Sequence, residues 1–111
     1  MPNSYKVLGR LAAAATTEEA LYTVPSATQA VVSTIVVANR SAVPVTYRLA
    51  VKPTAATTLA NDHYLAYDVA LAANDSTALT LGITLDATNS IRTYASAASV
   101  TFTAFGSEIT A

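Results

Sequence analysis

Val45-Thr46-Tyr47-Arg48-Leu49-Ala50-Val51-Lys52 and Leu79-Thr80-Leu81-Gly82-Ile83-Thr84-Leu85-Asp86 decide the fold. In both runs large apolar side chains take every second position, and Thr, Arg, Ala, Lys, Gly or Asp stand between them. Side chains of a strand alternate between its two faces, so this is the pattern of half-buried β-strands packed on a shared core. The polar faces hold Thr and Ala more than charge.

Outward from these runs the chain reads as further strands separated by turn chemistry. Residues 5–14 open as a strand, and residues 21–24 form a short one before the turn at Pro25. Residues 30–38 are apolar on both faces, as expected of a central strand covered on both sides by a second sheet or another subunit. Residues 63–71 place His63, Leu65, Tyr67, Val69 and Leu71 on one face, with Tyr64 opposite. Residues 91–97 and 100–107 close the domain. The spacing gives about eight strands without intervening helices. It predicts one all-β domain over residues 1–111, an antiparallel β-sandwich of jelly-roll or Ig-like type with a short N-terminal arm.

Composition removes several classes of function. The chain has no Cys, which excludes disulfide frameworks, Cys-based zinc sites and thiol nucleophiles. Six basic residues against seven acidic ones give a net charge of −1, and the basic ones are scattered, so neither nucleic acid nor an anionic membrane is an expected partner. The longest apolar stretch is too short to span a bilayer, and no segment has the form of a signal peptide. Ala (24) and Thr (17) make up more than a third of the chain, a surface composition that favours contact with copies or partners.

Catalytic residue types are nearly missing. His63 is the single His, and no sequence spacing sets it against a nucleophile or a substrate. No loop holds more than one Asp, so no dense calcium loop is present. The expectation is a non-enzymatic protein without cofactor or metal. Asn39-Arg40-Ser41 and Asn74-Asp75-Ser76 match the glycosylation sequon, and both read as turns. The isolated Gly9, Gly82 and Gly106 read as bulges or close backbone approaches. Tyr64, Tyr67 and Tyr94 are candidates for an aromatic platform that would bind a glycan.

A resemblance adds to this. Tyr5-Lys6-Val7-Leu8-Gly9, Leu21-Tyr22-Thr23-Val24-Pro25, and the run from Val32 through Asn39-Arg40 carry its first half. Tyr47-Arg48-Leu49-Ala50-Val51, His63-Tyr64-Leu65-Ala66-Tyr67-Asp68 and Phe105-Gly106-Ser107-Glu108-Ile109 carry its second. With these motifs the chain resembles small virion structural proteins of tailed bacteriophages, cyanophages especially. The resemblance implies a component of the particle and does not by itself say which part; the leading expectation is a homo-oligomeric, trimeric capsid decoration (cement) protein whose partner is the major capsid protein. Its contact residues would lie on the arm, at Tyr5 and Lys6, and on the long loop of residues 53–62, at Thr54, Thr57, Thr58 and Asn61. A tail, baseplate or fibre component bound to other tail proteins is the alternative. Either would be made in the host cytoplasm without a signal peptide, reside in the virion and leave by lysis.

Overall fold

Eight strands form among the residues that the computed structural model describes, namely 3–53, 59 and 63–110. They are β1 (Asn3–Ala12), β2 (Glu19–Thr23), β3 (Thr28–Asn39), β4 (Val45–Lys52), β5 (Tyr64–Leu71), β6 (Ser76–Leu85), β7 (Ser90–Ala95) and β8 (Val100–Thr110). Two antiparallel four-stranded sheets result, in the orders β1-β8-β3-β6 and β2-β7-β4-β5. Strands pair first with last, second with seventh, third with sixth and fourth with fifth. That is the winding of a jelly roll and differs from the immunoglobulin order, so one of the two expected sandwich types is selected.

The alternation in the sequence builds the core. Val45, Tyr47 and Leu49 of β4 face inward across the sandwich from Val100, Phe102 and Ala104 of β8, and all six are buried. The Tyr47 and Phe102 rings meet edge to face at 6.3 Å and 74°, a favoured aromatic geometry. β3 lies between β8 and β6 and buries Ala30, Val32, Ile35 and Val37. Its other row, including Val31 and Val36, is half-buried and faces away from the second sheet. The apolar run therefore has one face covered by the sandwich and one face left outside it.

Every edge strand is irregular. β1 carries an extra residue between the pairs Val7↔Phe105 and Gly9↔Ala104. β2 does so between Ala20↔Arg92 and Tyr22↔Ile91. β5 has two such places, between Tyr47↔Val69 and Leu49↔Ala66 and again before Ala50↔Tyr64. β6 takes three steps from Ile83 to Thr80 where β3 takes two, and Gly82 there has φ +62°. Bulges interrupt the ladder and twist an edge away from flat pairing, so all four edges resist strand addition.

The two ends of the sandwich are tied by polar groups. Asn39 is 3% exposed, yet its amide is fully used. Its Nδ2 donates to the carbonyls of Val43 (2.8 Å) and Ala72 (3.1 Å). Its Oδ1 accepts from the Ser41 N–H and from the hydroxyls of Ser41 and Ser99, each at 3.1 Å. This sequon asparagine thus ends β3 as a buried link between three loops, and both its amide hydrogens are engaged. At the other end the Tyr22 hydroxyl donates to Glu108, and Lys6 Nζ lies 2.6 Å from the same carboxylate. Lys6 and Tyr22 hold the Glu108 carboxyl below its ordinary value, while burial and the bond to Glu108 push the Tyr22 hydroxyl up. From Asn3 onward the expected arm is strand β1, paired with β8, so Tyr5 and Lys6 belong to the sheet.

Candidate functional site

The outer faces of the two sheets are chemically unlike. On the β1-β8-β3-β6 sheet, register places Val31, Thr34, Val36 and Ala38 of β3 beside Ser107, Phe105, Thr103 and Thr101 of β8. Thr84, Thr80, Ala78 and Ser76 of β6 flank them on one side. Tyr5, Val7, Arg10 and Ala12 of β1 flank them on the other. Arg10 is the one charged side chain among these positions. Arg40 lies just past the end of β3, where its guanidinium bonds Thr101 Oγ1 (2.9 Å) and the Ala98 carbonyl (3.0 Å). Tyr5 (82% exposed), Val7 and Phe105 form an apolar end to this face, beside a shallow depression lined also by Val31, Ser33 and Ser107.

The β2-β7-β4-β5 sheet presents a charged and aromatic cluster instead. Arg48 points outward between the buried Tyr47 and Leu49, directly beside Tyr94 on β7. Its guanidinium carbon lies 4.2 Å from the ring centre of Tyr67 and 4.3 Å from that of Tyr94. The strand order β7-β4-β5 puts those two rings on either side of it, a favourable cation–π arrangement. Arg48 Nε also donates to Asp68 Oδ1 at 2.7 Å and Nη2 to Oδ2 at 3.3 Å, and the bond to Asp68 raises the guanidinium pKa further. Tyr64 packs edge to face against Tyr67, with ring centres 4.9 Å apart.

The structure therefore brings Tyr64, Tyr67 and Tyr94 together, as the platform expectation requires. It also corrects the expected phase of β5. Tyr67 was expected on the side opposite Tyr64, in an apolar row with Leu65, Val69 and Leu71. Of that row Leu71 is buried, whereas Leu65, Tyr67 and Val69 are exposed. The two bulges, with Asp68 at φ +51°, turn Tyr67 to the outer face. Arg48 and Asp68 organise the cluster and were not singled out from the sequence. Thr54, Thr57, Thr58 and Asn61 lie outside the described residues. Among the described residues no three His, Asp or Glu side chains gather as cation ligands, and no helix is long and apolar enough to cross a membrane.

No protein-family model and no curated protein matches the chain.

Proposed function

We propose that this chain is a structural component of a phage virion, a decoration protein that binds in many copies across the seams between major capsid subunits. One observation carries the reading: the outer face of β1-β8-β3-β6 is broad, small-featured and nearly uncharged. Four strands of ten or more residues span about 600 Å² of sheet, close to the roughly 800 Å² that each partner contributes to a standard interface. Thr, Ala, Val and Ser lose little side-chain freedom when covered, so such a face is cheap to desolvate. A net charge of −1 leaves little repulsion between copies, and a trimer would multiply the contact. Bulges oppose strand addition at all four edges, which favours the face over an added strand as the contact.

Jelly rolls recur in viral shells and in lectins, so the fold by itself favours neither. The resemblance to phage virion proteins supplies the location: synthesis in the host cytoplasm and residence in the particle. The test is to separate purified particles into heads and tails and to quantify the chain on each by mass spectrometry. Copies confined to heads in the hundreds are expected. A few dozen copies on tails would replace decoration with a tail, baseplate or fibre role, and its absence from particles would end the reading.

A further inference from the structure

On the opposite face, we infer that Tyr64, Tyr67, Tyr94, Arg48 and Asp68 form a binding site for a neutral pyranose glycan. This does not rest on the virion reading and stands or falls separately.

The chemistry follows from what the cluster leaves available. Arg48 uses two of its five N–H groups on Asp68, and each Asp68 oxygen accepts one of those bonds. Among the described residues the other Arg48 N–H groups meet no acceptor, so a fork of donors lies beside acceptors with spare lone pairs, and the pair is internally neutral. An isolated anion finds Arg48 already compensated, and a cation finds Asp68 likewise. A sugar fits both partners: one hydroxyl donates to the carboxylate while its neighbour accepts from the guanidinium. The apolar C–H face of a pyranose needs an aromatic surface next to that fork. Tyr67 is 56% exposed although Arg48 lies over it, and it joins the fork to a concavity lined by Tyr64, Leu65, Ala66 and Tyr67, which Arg48 and Asp68 do not line.

The backbone shows how these groups are positioned. Asp68 is a non-glycine residue in the left-handed region, at a bulge that turns Tyr67 and its own carboxylate toward Arg48. Such a conformation costs free energy and persists where the surroundings impose it, which is commonest at binding sites.

The test uses the full chain with cellotetraose, maltotetraose and chitotetraose, read by saturation-transfer NMR. Transfer to the axial ring protons of at least one is expected, with a Kd on the order of 1 mM, typical of one exposed subsite. Tyr67→Ala, at an exposed position, is expected to abolish it. Asp68→Gly removes the acceptor while relieving the left-handed backbone, so it keeps the fold and should weaken binding about tenfold, the loss of one bond to a charged group. Tyr5→Ala, on the far face, should change nothing. The proposal is overturned by no transfer from any of the three at about 10 mM, or by transfer that survives both Tyr67→Ala and Asp68→Gly. Binding of a sulfated disaccharide with none of the neutral sugars would also overturn it, reassigning Arg48 to an anion.

Discussion

The two outer faces of one sandwich use the same backbone geometry for opposite ends. The β1-β8-β3-β6 face spreads Thr, Ala, Val and Ser over four strands, with charge at Arg10 and at the Arg40 guanidinium held on Thr101. The β2-β7-β4-β5 face concentrates Arg48, Asp68 and three tyrosines at one point and distorts β5 to do so. Contact with a large flat partner calls for area and little side-chain ordering, whereas contact with a small ligand calls for fixed, directional groups. The two proposed contacts thus fall on separate sheets.

The largest way to break the first face lies beneath it. A Cβ at Gly106 would fall against the Val31 carbonyl oxygen and close to Val32, backbone that cannot move aside. Gly106→Ala is expected to cost about 3 kcal/mol in urea unfolding through strain between β3 and β8. A neutral result would mean that the two central strands are not packed as described.

A charge placed on each face in turn sharpens the contrast. Thr34→Glu sits amid Thr80 and Phe105, and burying its unpaired carboxylate should reduce occupancy of particles about 100-fold, roughly 2.7 kcal/mol, with little effect on the free chain. Ala70→Glu, exposed on β5, should leave occupancy unchanged. Equal losses from the two would show that the faces are not distinct in use.

Acid probes the tie between the two sheets at Glu108. Glu108 has its folded pKa below the ordinary 4.5, so its contribution is complete above about pH 4.5 and is lost as the pH falls through the lower folded value. Replacement by Gln should cost about 1 kcal/mol at pH 7 and flatten the acid side of the stability profile. A parallel loss with pH in the variant would assign acid sensitivity elsewhere. The smallest effect is expected on the second face. Asp68→Gly loses an exposed ion pair worth at most about 1 kcal/mol and gains from relief of the backbone, so thermal unfolding should shift within about 0.5 kcal/mol.

Much of this fold was legible in the alternating runs. The expected strand over Val45–Lys52 has the observed bounds, and the buried Val45, Tyr47 and Leu49 of β4 and Val100, Phe102 and Ala104 of β8 fall where period two puts them, while Ala50 is buried on the other face. The isolated glycines also read correctly, Gly82 as a bulge and Gly106 as a close approach. What escaped was anything that depends on a distant partner. β8 runs to Thr110, which gives Asn3 and Tyr5 a strand to pair with and converts the expected arm into β1. The bulges of β5 have no Gly or Pro to announce them, so alternation carried Tyr67 to the wrong side. The tyrosines of the cluster drew notice as aromatic residues. Arg48 read as an ordinary polar position, because its role depends on β7 and β5 lying on either side of β4, and strand order is not written in a local pattern.

The four bulged edges have a consequence for valence. An open sheet can recruit further strands in its own plane, but the bulged edges of this sandwich oppose that and leave its two broad surfaces as the larger areas for contact. Those surfaces lie back to back, roughly 10 Å of packed core apart, as sheets in a sandwich do. Attachment through one therefore fixes what the other does. A chain seated by its Thr and Ala surface would have a defined inside and outside, with Arg48 and its tyrosines turned away from whatever it is seated on.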